Sequence, residues 1–145
     1  MKGMSIIVKK VTQLISGIIF MYGIYIITHG HLTPGGGFAG GAIIAGAYIL
    51  LILAFGSDAV NLRSKEKGSS LIESLAIFIV LLLAVFALFM GAKIFFANYL
   101  PKGQLGEIIS AGAIPLYNIF IGIEVAAAII TIFLALVIFK EEAKK

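Results

Sequence analysis

The sequence has no cysteine, no tryptophan, three prolines and only 12% charged residues. Without cysteine the chain cannot form a disulfide scaffold, a thiolate metal site, an iron–sulfur ligand set or a thiol nucleophile. The shortage of charge excludes a water-soluble globule. Soluble domains carry about 25% charged and about 45–50% apolar residues. Here 61% of the 145 residues are hydrophobic and the mean hydropathy is +1.12. That much apolar surface cannot be hidden inside so small a body, and it equally excludes intrinsic disorder. The formal net charge of +4 is too small to argue for a nucleic-acid partner. What remains is an integral membrane protein, all-α.

Crossing the hydrocarbon core takes about 20 mostly apolar helical residues. Four segments qualify, at about 6–28, 36–56, 72–97 and 116–139, and they predict a single four-helix transmembrane domain over 1–145. Period-2 alternation is missing and Ile/Leu/Ala runs dominate, which favours helices over barrel strands. No internal repeat is visible, so an inverted-repeat transporter built from this chain alone is unsupported. Lys2, Lys9 and Lys10 precede the first span, Arg63, Lys65 and Lys67 lie between the second and third, and Lys140, Lys144 and Lys145 follow the fourth. Only Lys93 and Lys102 fall on the opposite side. This asymmetry predicts cytoplasmic N and C termini in a multi-pass protein of the cell membrane.

The first two spans are joined by a Gly-rich hairpin, His29-Gly30-His31-Leu32-Thr33-Pro34-Gly35-Gly36-Gly37-Phe38-Ala39-Gly40-Gly41. Pro34 cannot continue a helix and biases Thr33 toward extended backbone. Thr33 is placed to cap the second helix, with Pro34 at its first position. Free N–H groups at such a helix start attract anions, and half-helix ends bind ions in many transporters. The plainer reading is a tight turn followed by a packing face. Gly36/Gly40 and Gly37/Gly41 are four apart, with Ala42/Gly46 continuing the series, a spacing that lets helices touch backbone to backbone. No Lys-Ser/Thr follows, so this is not a phosphate-binding loop.

Four residues are candidates for an ion pathway: Glu124, Lys93, His29 and His31. Glu124 is the one carboxylate deep in a span, where an acid is costly and marks a functional site by default. It reads either as a protonatable carrier or as a buried structural contact. Lys93, near the outer end of the third span, either snorkels to the headgroups or serves as a buried cation facing Glu124. His29 and His31 are two apart, which on a helix separates the rings. With no acid or thiol nearby they predict no metal site; they are hydrogen-bonded turn residues or a proton relay. Asn118 is not on the face of Glu124 and is no obvious partner for it. The stretch Leu105–Ala113 reads as a short interfacial helix. No nucleophile–base pair, paired carboxylates or cofactor fingerprint occurs, so catalysis within this chain is not expected.

The block Gly30–Gly41 resembles the signature of the MnhB-like subunit of Mrp-type multisubunit sodium/proton antiporters. A second block, Ser110-Ala111-Gly112-Ala113-Ile114-Pro115-Leu116-Tyr117-Asn118-Ile119-Phe120-Ile121-Gly122-Ile123-Glu124-Val125, resembles the same family. Its Asn118 and Gly122–Val125 look closer to the version in archaeal membrane-bound hydrogenases and the related sulfane-sulfur reductases; antiporter versions tend to carry Asp and Gly-Val-Tyr-like residues there. The resemblance implies a non-catalytic, four-helix membrane subunit working beside antiporter-like subunits that move sodium ions and protons. It also implies a peripheral, ferredoxin-dependent redox module, with iron–sulfur and nickel–iron centres in partner subunits and no cofactor in this chain. The motif's Pro and Phe map to Pro34 and Phe38. Two rivals remain: a small stand-alone transporter of the multidrug type and a purely structural membrane scaffold. The first is disfavoured because its acid belongs in the first span and it uses a tryptophan.

Overall fold

The computed structural model describes residues 3–56, 62–104, 106–107 and 110–143, and it contains four helices among them. These are α1 (Ile6–Thr28), α2 (Gly36–Phe55), α3 (Leu62–Phe89) and α4 (Ile114–Glu142). All four are long and apolar enough to cross a membrane. Even α2, with 20 residues, reaches about 30 Å, the thickness of the hydrocarbon core. Ser5 starts α1 by accepting a hydrogen bond from the Val8 amide.

The helices form a row rather than a closed bundle. α2 packs on α1 on one side and on α4 on the other, while α3 packs chiefly on α4. The doubled glycines of α2 dictate this order. A Cβ on Gly40 would strike Ile27 and lie 2.8 Å from the Gly23 carbonyl of α1. A Cβ on Gly37 or Gly41 would lie 2.5 Å from the Asn118 or Gly122 carbonyl of α4. Adjacent glycines thus serve opposite neighbours, each by the close backbone approach that small residues permit. The expected continuation at Gly46 does not occur: a Cβ there would meet open space. Gly46 lies on another face of α2, while its neighbours Ala45 and Ala47 are buried, and further along Ile52, Leu134 and Val137 form an apolar cluster. Between α3 and α4, the buried Ser69 hydroxyl donates to the Ala127 carbonyl at 2.8 Å.

The contacts fix which ends lie together. Met4 donates its amide to Ala54 at 2.9 Å, which ties the N-terminal end to the end of α2. At the opposite end the α1–α2 hairpin meets the α3–α4 connection through His31 Nε2 and the Glu107 carbonyl, 3.3 Å apart.

Four details differ from the sequence reading. α3 ends at Phe89 rather than residue 97, because Gly91 (φ +86°) turns the chain and the Ala92 amide folds back onto the Ala87 carbonyl. α3 also begins before residue 72, since its polar first turns continue the helix. Thr33 does not cap α2: its hydroxyl and amide both turn back to the His29 carbonyl, and Gly35 takes the capping position (φ +146°). The described part of 105–113 is not helical, while Leu105, Ile108 and Ile109 lie outside the described residues. So do Lys2, Lys144 and Lys145.

Candidate functional site

Two places hold polar groups within this apolar row, and α4 contributes to both. The first is the crossing of the hairpin with the start of α4. Gly30 and Gly36 leave a gap that the Asn118 side chain fills; a Cβ on Gly30 would lie 2.9 Å from Asn118 Nδ2, and one on Gly36 3.4 Å from its Oδ1. Asn118 Nδ2, Tyr117 Oη and His31 Nδ1 are buried polar atoms with no hydrogen-bond partner. Such atoms cost free energy unless water or a partner satisfies them. His31 is half-buried and held by its other nitrogen to Glu107.

The second place is Glu124. It lies ten residues into α4, about 15 Å from the helix start and so near the middle of a 30 Å core. It is half-buried, and no hydrogen bond or ion pair to another described residue satisfies it. Its helix turns Ile121 and Val125 onto Gly37 and Gly41, which leaves Glu124 on the flank of that contact. Tyr117 and Thr131 are seven residues before and after it, so the three share one stripe of α4 at about 10 Å intervals. Thr131 is satisfied by the Ala127 carbonyl at 2.8 Å.

The other candidates separate. His29 stacks on Tyr25 at 4.1 Å between ring centroids, and its Nδ1 lies 3.0 Å from both Thr28 Oγ1 and the Tyr25 carbonyl. It is thereby engaged in the end of α1. Lys93 is exposed beyond the end of α3 and makes no ion pair with Glu124. Pro34, Gly35 and Phe38 are exposed, whereas Gly36, Gly37, Gly40 and Gly41 are buried. Among the described residues no three His, Asp or Glu side chains stand close enough to hold a metal ion.

Asn98 was absent from the sequence reading. Its amide donates to the Ala111 carbonyl and its oxygen accepts from the Ala113 amide, each at 3.0 Å, which fastens the loop to the start of α4. The signal available for it was slight: one polar residue before a Pro/Gly-rich segment. Asn118 had a better one, a polar residue one turn before Gly122 in an otherwise apolar span.

Residues 7–131 match the family described as a domain related to the MnhB subunit of a Na+/H+ antiporter. The chain belongs to the MnhB family. An uncharacterised protein of Methanocaldococcus jannaschii is 38% identical over 132 residues, covering 86% of this chain and 49% of that protein. The chain therefore spans about half the length of that relative. A protein of Staphylococcus haemolyticus, described as a candidate antiporter subunit mnhB2, is 33% identical over 94% of this chain and 96% of its own length. Among solved structures, a chain of the membrane-bound sulfane sulfur reductase, an archaeal respiratory membrane complex, superposes with a TM-score of 0.72. It is 33% identical, and the match covers 89% of this chain and 56% of that one. This MnhB-family chain is thus a multi-pass membrane protein, and the resemblance seen in its two sequence blocks is borne out.

Proposed function

We propose that this MnhB-family chain is a non-catalytic subunit of a multisubunit cation/proton antiporter module attached to a respiratory membrane complex. The observation that carries the reading is the nearly end-to-end similarity to the mnhB2 protein, at 33% identity. The fold shared with a chain of the sulfane sulfur reductase supports the respiratory setting. In this reading the redox chemistry belongs to a ferredoxin-dependent hydrogenase-type or sulfur-reductase module, whose iron–sulfur and nickel–iron centres lie in other subunits. Sodium ions and protons are the transported species. In the same reading the chain's termini face the cytoplasm, which the distribution of Lys and Arg supports.

The geometry suits a subunit that completes a pathway with a neighbour. At Gly37, Gly40 and Gly41 the α1–α2 and α2–α4 contacts close by backbone approach, which leaves no room for ions between the helices there. Glu124 instead lies on the flank of α4, with its carboxylate unsatisfied within the described chain. A partner subunit bringing water or a cation to that flank would turn Glu124 into a relay. The multidrug-transporter alternative loses ground because the membrane acid sits on α4 rather than α1.

Affinity purification of the tagged chain from detergent-solubilised native membranes, followed by mass spectrometry, tests the reading. Antiporter-type membrane subunits and a peripheral redox module should copurify. Recovery of this chain alone, as a small homo-oligomer, would overturn it.

A further inference from the structure

The row arrangement leaves α3 standing away from α1 and α2, with α4 as the floor between them. A cavity of about 600 Å³ occupies this space, and a second of about 640 Å³ adjoins it along α1 and α2. They share Phe20, Ile44, Tyr48 and Ile130 in their walls and therefore form one groove. Along α1 the groove runs from Gln13 to Ile27, about 21 Å at 1.5 Å per residue. The walls are mostly apolar, with Gln13, Ser16, Tyr48, Lys65 and Ser69 as their polar side chains. Lys65 is the only charged side chain lining either cavity, and no described acidic residue pairs with it.

Lys65 sits on α3 one turn before Ser69, whose hydroxyl is fixed to Ala127 of α4. Ala127 lies about 20 Å from the start of α4. The ammonium group therefore belongs to the half of the membrane nearer the chain termini, at the edge of an apolar groove. Lys65 is exposed there, so its ammonium group is open to an anion at the membrane surface.

We propose that this groove holds one acyl chain of an anionic phospholipid, drawn from the leaflet on the side of the chain termini, with Lys65 contacting the headgroup phosphate. Three properties select this occupant. Mostly apolar walls with scattered polar groups favour an apolar occupant over water. A partner helix about 10 Å wide would use up both cavities in roughly ten residues, about 16 Å and short of the groove's own run. An acyl chain is narrow and flexible, and half of the hydrocarbon core is about 15 Å deep, within the groove's reach. Moving that chain from the bilayer into the groove exchanges one apolar environment for another. Selectivity therefore rests on Lys65 and on phosphate charge.

The test uses the complex containing this chain, reconstituted with phosphatidylglycerol or phosphatidylcholine carrying a photoactivatable acyl chain. After illumination, labelled peptides are identified and counted by mass spectrometry. Phosphatidylglycerol should label the Ile44–Tyr48 and Ile123–Ile130 stretches more strongly than phosphatidylcholine does. Lys65→Gln should cut the phosphatidylglycerol adduct about fivefold, the worth of one basic residue near anionic lipid, and leave the phosphatidylcholine adduct unchanged. Lys67→Gln, a neighbouring lysine outside the groove lining, should alter neither. Filling the groove with Ile123→Trp should abolish both labels there. Equal labelling by the two lipids in the unsubstituted protein would overturn the proposal. An equal fall for both lipids in Lys65→Gln would also do so, because Lys65 would then only position α3. So would a cross-link from these stretches to a partner polypeptide.

Discussion

Glu124 poses the sharpest question at the scale of one residue. A carboxylate about 15 Å into a span is stable only if it is neutral, paired, or wetted by a polar cavity, and the described chain supplies no partner. If it relays ions at a subunit contact, Glu124→Gln keeps shape and hydrogen bonding but removes the titratable group. Sodium-dependent proton movement in vesicles, normalised to assembled complex, should then fall by on the order of 10²-fold, as for loss of a positioned proton-transfer group. Subunit content should stay normal. Unchanged transport in that variant, with assembly lost in Glu124→Leu, would make the residue a structural contact. The sequence marked Glu124 because an acid in an apolar run needs no tertiary information to stand out. The sequence shows that Asn118 is no partner for Glu124 but not what it does, for the opposite reason. Its significance lies in the gap between Gly30 and Gly36, more than eighty positions away in sequence, and helical periodicity on α4 cannot reveal that.

At the scale of the element, α2 is a ruler with two edges. Gly40 meets α1, Gly37 and Gly41 meet α4, and Gly46 meets nothing. Gly40→Leu should therefore splay the α1–α2 hairpin, and Gly41→Leu should part α2 from α4. Each should cost about 1–3 kcal/mol as overpacking, read as lost assembly or transport with membrane insertion intact. Gly46→Leu should be tolerated by the same assay; equal damage at Gly46 would mean that the spacing itself, rather than the contacts, matters. Ser69→Ala should loosen α3 from α4 by about 0.6–1.7 kcal/mol, measured as a shift in detergent-induced unfolding. Helix existence was legible because 20-residue apolar runs dictate it. The end of α3 was not, because Ile94, Phe95 and Phe96 prolong the apolar run past Gly91. Hydropathy does not distinguish an apolar loop at the membrane surface from another turn of helix.

For the whole molecule, hydrogen bonds and packing bring the α1–α2 and α3–α4 connections to one end and the described parts of the termini to the other. This geometry follows from an even number of spans and says nothing of which end faces the cytoplasm. The proposed orientation rests on charge. In the sequence, nine of the eleven basic residues fall on the side of the termini, and the positive-inside rule predicts that side to be cytoplasmic. The sequence lacks cysteine, so introduced thiols report without background. Ser64→Cys and Lys102→Cys should be labelled from opposite faces of oriented vesicles by a membrane-impermeant maleimide, with Ser64→Cys reached only from the cytoplasmic face. Labelling of both from outside would break the four-span arrangement. Labelling of Ser64→Cys alone from outside would keep the arrangement and invert it, and Glu124 would then approach its proton source from the other compartment.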